Sequence, residues 1–125
     1  NQASGGYACG VSQEGLLTGF CVTKNGGKHN LINNVSLEKG TKLVAFEDVT
    51  SRAKEIASKF PYARLLGLDF CVTEGGGTKL IEVNCVNNEI NFYQMCNGPL
   101  FGNFTEEVIL FASENKTSYC FDFNL

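Results

Sequence analysis

Two short N-terminal runs, 7–12 (YACGVS) and 16–23 (LLTGFCVT), read as strands around Gln13-Glu14-Gly15, where the glycine supplies a positive φ. "KNGG" at 24–27 is a second turn signal and 28–33 a weaker strand; 34–46 is irregular, with a short apolar piece at 43–46. The period then changes. Val49, Ala53, Ile56, Ala57 and Phe60 recur at steps of three and four, which predicts a helix over 48–60. Asp48 or Thr50 is its expected N-cap and Pro61 its stop. Strand signals return at 64–73 and, after three glycines, at 79–84. Residues 85–104 read as an ordered loop with a helical turn near 90–96. Thr105 is the expected N-cap of a helix to about 113, with Glu106 and Glu107 near its positive end. A last edge strand falls at 117–123. This order predicts one α+β domain over 1–125, with a largely antiparallel sheet and two main helices.

With 125 residues, 43% of them apolar and ten of them Phe, the chain can build a core. A net charge of −3 with dispersed Lys and Arg argues against nucleic acid and against an anionic membrane surface. No apolar run approaches the ~18 residues of a spanning helix, and "NQASGG" does not resemble a signal peptide. Six cysteines and three Asn-X-Ser/Thr sequons would suit a secreted disulfide domain. Five of those cysteines, however, sit beside apolar residues, where a free thiol behaves as a small hydrophobe. The expectation is reduced thiols in a cytoplasmic protein. With no CxxC pair or His/Cys cluster, zinc is not expected.

"FCVTKNGGK" at 20–28 is echoed by "FCVTEGGGTK" at 70–79. A strand feeding a Gly-rich turn accounts for the echo, although a duplicated unit remains open. Only the second copy carries carboxylates: Gly19 stands where Asp69 does, and no acid follows the first turn. If the second loop is 74–77, Asp69 faces Glu82 and Gly67 faces Asn84; if it is 75–78, Asp69 faces Asn84. Either register puts Asp69, Glu82 and Asn84 on one face. Leu66, Leu68, Phe70, Val72, Ile81 and Val83 fall on the other as a core set, and Lys79 and Arg64 fall on the parity opposite the acids. Converging oxygens without a neutralising cation suit a hard ion such as Mg²⁺, which completes its shell with water and phosphate oxygens. The alternative is a solvated sheet face whose acids simply face water.

Asp69 followed, after a glycine turn, by Ile81-Glu82-Val83-Asn84 resembles the metal-binding end of the ATP-grasp ligases. Taken with "ASGGYACGVSQEGLL" (3–17), "FPYARLLGLDFCVTEGGGTKLIEVN" (60–84) and "INFYQMCNGPLFGNFTEEVI" (90–109), the chain is similar to the sugar-transfer-associated branch of that superfamily. The likeness runs over most of the length and is strongest from 60 to 109. It implies the C-terminal subdomain of an ATP-grasp fold and ATP-dependent carboxylate–amine ligation through an acyl-phosphate, in polysaccharide or sugar-polymer metabolism. On this resemblance Asp69, Glu82 and Asn84 hold Mg²⁺ against ATP; Ser4, Gly5 and Gly6 either lie near the phosphates or are a glycine pair feeding a strand, and Asn91 and Gln94 either touch a small-molecule or sugar-linked substrate or order their loop by hydrogen bonds. His29 is expected at the surface without a catalytic role.

Two departures stand out. Gly67 occupies the position where many of these ligases place an Arg, two residues before the first acid, and "CVNNEINFYQ" replaces the usual Pro-Gly after the E-x-N. The nucleotide-clamping N-terminal subdomain has no counterpart here, so the chain is expected to be a portion of a longer enzyme or a truncated reading frame, inactive alone. Two other readings stay open: a non-catalytic binding module, and a small secreted disulfide domain.

Overall fold

The computed structural model describes residues 5–86 and 88–115. β1 (Ala8–Val11) and β2 (Leu17–Val22) form an antiparallel pair, and β3 (Lys28–His29) adds to the other side of β2. A bulge interrupts the first pairing after Cys9, and Gly19, in the left-handed region at φ 84°, lies on the β2 side of it. The predicted strand at 28–33 divides between two sheets. Its second half becomes β4 (Leu31–Ile32), which pairs with β5 (Val35–Ser36) across Asn33 and Asn34, both at positive φ. Two consecutive left-handed residues make the tight turn that suits a two-residue hairpin loop, and asparagine tolerates that backbone.

Helix α1 (Phe46–Ser58) begins two residues before the predicted start and has no side-chain cap, which corrects the Asp48 and Thr50 assignments. Ala45, at φ 61°, turns the chain into the helix instead. Leu43 N–H donates to the Gly15 carbonyl at 2.8 Å, and the Phe46 ring lies where a Gly15 side chain would be. The helix start is therefore set by docking on the first turn. Phe46, Val49, Thr50, Ala53 and Ile56 form its half-buried stripe, as the period required, while Ala57 and Phe60 are exposed.

β6 (Gly67–Val72) and β7 (Thr78–Asn84) form a third antiparallel ribbon. What reads as a helical turn is a complete helix, α2 (Ile90–Asn97), ended by Gly98 at φ 82°. A 3₁₀ turn at Gly102–Phe104 leads into α3 (Thr105–Glu114). Its cap position is Phe104; Thr105 is helical and its hydroxyl donates to the Gly102 carbonyl at 2.6 Å. Glu106 and Glu107 occupy the first turn as expected. Among the described residues the fold is thus α+β with antiparallel pairing throughout, but with three small sheets and three helices. The strand predicted at 117–123 lies outside the described residues.

Among the described residues the most buried apolar side chains are Cys21 and Val22 of β2 and Cys96 of α2, which packs near β1 and β2. Gly10 lets this junction close. A side chain there would collide with the Cys96 carbonyl and the Asn97 amide. Asn97 Oδ1 instead accepts from Val11 N–H at 2.8 Å, tying α2 to β1. Among the described residues no helix is long and apolar enough to cross a membrane.

Candidate functional site

The repeated sequence around the two Gly-rich turns is a repeated structure. Thr23 N–H donates to Gly27 O at 3.0 Å and Gly26 N–H to Thr23 O at 2.9 Å; Thr73 and Gly77, and Gly76 and Thr73, make the same bonds at 2.8 and 2.9 Å. Gly26 and Gly76 sit at φ 81° and 78°, where a Cβ is unfavourable. Both threonine hydroxyls also donate to the glycine carbonyl across the turn. The second loop is therefore five residues, 73–77, one longer than either predicted loop.

At the base of this ribbon Asp69 pairs with Glu82 and Gly67 with Asn84, the first of the two predicted registers. Directly opposed residues share a face with Cβ atoms about 4.5–5.5 Å apart, and alternate pairs share it too. Asp69, Glu82 and Asn84 therefore lie together, the two acids exposed and Asn84 half-buried. The ion pairs among the described residues are Lys42–Glu47, Arg52–Asp48 and Lys59–Glu55, and none engages Asp69 or Glu82.

Toward the tip the register changes. Phe70 pairs with Leu80 and Cys71 with Lys79, so Ile81 is an extra residue in β7. Parity inverts beyond it, with two consequences. Ile81 leaves the predicted core set and is 68% exposed, as Val72 is at 46%; Leu66, Leu68, Phe70 and Val83 are half-buried. Lys79, paired with Cys71, joins the face that carries Asp69, which corrects its predicted placement on the other side. Arg64 is engaged elsewhere, its guanidinium 4.9 Å from the centre of the Phe111 ring.

Asn88 carries no sequence signal that marks it, yet it belongs to this face. Its amide NH₂ donates to Leu65 O at 3.5 Å and Asn84 O at 3.4 Å, long bonds that nonetheless orient the group. Oδ1 then occupies the space into which a Gly67 side chain would project, beside the Asn84 Cβ. A side chain two residues before Asp69 has no room here. Its place is taken by an amide oxygen. Next to it, a cavity of about 160 Å³ is bounded by Leu65, Leu68, Asn88, Ile90, Tyr93 and Leu100.

The ribbon is held to α1 through Thr78, the most buried polar side chain described, whose hydroxyl donates to Asp48 Oδ2. That bond first, and the Arg52 guanidinium second, hold the Asp48 carboxyl below its usual pKa. Asp48, expected as a cap, is instead the joint between helix and ribbon.

The remaining predicted residues are dispersed. Gly5, at φ 89°, and Gly6 precede β1, and no hydrogen bond among the described residues links either to the ribbon; Ser4 lies outside the described residues. Asn91 is exposed in the first turn of α2. Gln94 Oε1 accepts from Leu100 N–H at 3.4 Å, so that amide orders the following loop. Neither Asn91 nor Gln94 lines the cavity; Tyr93 does. His29 is exposed, stacked edge-on with Tyr7 at 5.5 Å.

An all-oxygen set of two carboxylates and two side-chain amides fits a small hard cation such as Mg²⁺ better than a soft metal. Compared with known proteins, the chain matches no family, no curated protein and no solved structure.

Proposed function

We propose that this chain is the metal- and phosphate-binding portion of an ATP-grasp ligase that joins a carboxylate to an amine through an acyl-phosphate. The observation that carries this reading is the cross-strand pair Asp69–Glu82, exposed and without an ion-pair partner among the described residues. Like charges placed directly opposite each other weaken a ribbon, so the pairing calls for a ligand that offsets the cost. Bound there, Mg²⁺ would neutralise and orient the phosphoryl oxygens of ATP. Asp69 and Glu82 supply its charged ligands, and Asn84 adds a neutral oxygen from the same strand as Glu82. The Asn88 amide fills the position of the family's arginine, so this chain's own residues bring less positive charge to the phosphoryl group there. The sugar-polymer pathway, ATP itself and a sugar-linked substrate rest on the sequence resemblance alone, as does a separate nucleotide-clamping subdomain.

A non-catalytic module is the second reading, favoured by Lys79, whose ammonium on the acid face offsets part of the charge without any ion. Titration with Mn²⁺, followed by paramagnetic relaxation of water protons, separates the two. The ligase reading requires saturable binding that Asp69→Asn and Glu82→Gln each weaken at least tenfold. Binding indifferent to both substitutions removes the site.

A further inference from the structure

Cys9 and Cys21 are directly opposed in the β1–β2 ribbon, and their position in the ladder is defined. Thr23 N–H bonds toward β3, to Gly27, so the odd-numbered residues at this end of β2 turn their backbone groups to β3. Cys21 therefore faces Cys9 as a non-hydrogen-bonded pair. In that arrangement the Cα atoms lie about 4.5 Å apart and the side chains are at their closest. A disulfide spans Cα separations of roughly 4.4–6.8 Å, so a pair in this register lies within bridging range.

Both thiols are free and each points to a backbone carbonyl, Cys9 to Gly10 O at 3.5 Å and Cys21 to His29 O at 3.3 Å. Cys9 Sγ also lies 3.9 Å from Thr18 Oγ1, so turning the thiols toward each other gives up only weak sulfur contacts. Cys9 is partly exposed while Cys21 is fully buried, so a reagent from solution meets Cys9 first. Cys96, the third thiol of this core, donates to Ala8 O at 3.7 Å from another element and has no register relation to either.

We propose that Cys9 and Cys21 are an oxidation site that a low-molecular-weight disulfide of the glutathione type converts into a cross-strand bond. The Cys9 thiolate attacks one sulfur of the reagent, forming a mixed disulfide and expelling one thiolate. Cys21 then loses its proton to that thiolate and attacks the Cys9 sulfur, which expels the second. Two protein thiols are oxidised and one reagent disulfide is reduced to two thiols. Burial raises the Cys21 pKa, which lowers the thiolate fraction available for the second step. The product ties β1 to β2.

The test treats the folded chain with oxidised glutathione, alkylates the remaining thiols and cleaves after glutamate without reduction. Cleavage after Glu14 and Glu38 separates the two cysteines, so the expected product is peptide 1–14 joined to 15–38. Cys21→Ser should stop at a mixed disulfide on Cys9. Exposed Cys85 reports that the reagent was active. Cys9 joined instead to the Cys96 peptide, a mixed disulfide that persists on wild-type Cys9, or both cysteines recovered alkylated while Cys85 has reacted would each overturn the proposal. The wild-type peptide map decides even if Cys21→Ser does not fold.

Discussion

Lys79 stands diagonally from Asp69 on one face of the β6–β7 ribbon, because the extra residue Ile81 inverts the parity of β7 between Glu82 and the turn. The ribbon thus carries acids at its base and a cation one step toward its tip. At such a diagonal the side chains are within reach of each other without forming a close ion pair.

Lys79→Met therefore tests how that face uses its charge. If the acids hold a divalent ion, removing the neighbouring ammonium should tighten Mn²⁺ binding by about 1 kcal/mol, roughly fivefold, for charges some 8 Å apart in water. The effect should shrink as salt is raised. Calorimetric titration at two ionic strengths measures it. Unchanged or weaker binding at low salt would show that the lysine does not oppose the ion.

Asp69→Asn and Glu82→Gln should leave the metal-free fold intact and stabilise it slightly, by about 0.2–1 kcal/mol, since each relieves a like-charge cross-strand pair. Urea unfolding without divalent ions reads this directly. A loss above about 2 kcal/mol from either change is incompatible with an exposed acid and would assign it a structural hydrogen bond.

Asp48 gives the fold an acid-sensitive joint. Its pKa is held below the ordinary value by the Thr78 hydroxyl and then by Arg52. A carboxyl depressed in the folded state adds stability above its unfolded pKa of about 3.9. That contribution is lost as pH falls through the lower folded value. Wild type should therefore lose more stability than Asp48→Asn between pH 5 and pH 2.5, as followed by urea midpoints. Parallel pH curves for the two proteins would mean that the Thr78–Asp48 bond does not survive in solution.

Much of this arrangement was readable from residue order. Three glycines centre the second hairpin and leave two registers, of which the structure adopts Asp69–Glu82; the spacing of Val49, Ala53 and Ile56 marks α1. The tip was not readable, because a single bulged residue leaves the composition of β7 unchanged while reversing which way Lys79 and Ile81 point. The start of α1 depends on Phe46 meeting Gly15, a contact between residues thirty-one apart that no local cap signal encodes. Asn88 escaped for the same reason. Its role comes from the empty space above Gly67, visible only once the loop has folded back over the strand. The paired Asn33–Asn34 turn, by contrast, has a local signal, which the division into a strand at 28–33 and irregular chain at 34–46 cuts in two.

That empty space makes Gly67 and Asn88 a coupled pair. Gly67→Ala places a methyl group where Asn88 Oδ1 sits, on a strand whose backbone is fixed by pairing with Asn84. Overpacking of this kind costs about 1–3 kcal/mol. Asn88→Ala alone should cost less, about 0.5–1.5 kcal/mol, because its two hydrogen bonds are long and only half-buried. With both changes the new methyl occupies the vacated volume, so the double variant should be more stable than the sum of the single losses by about 1 kcal/mol or more. A double-mutant cycle by urea unfolding measures this term directly. Additive losses would show that the asparagine does not rest on the glycine, and the amide oxygen would then have to be removed from the acid face.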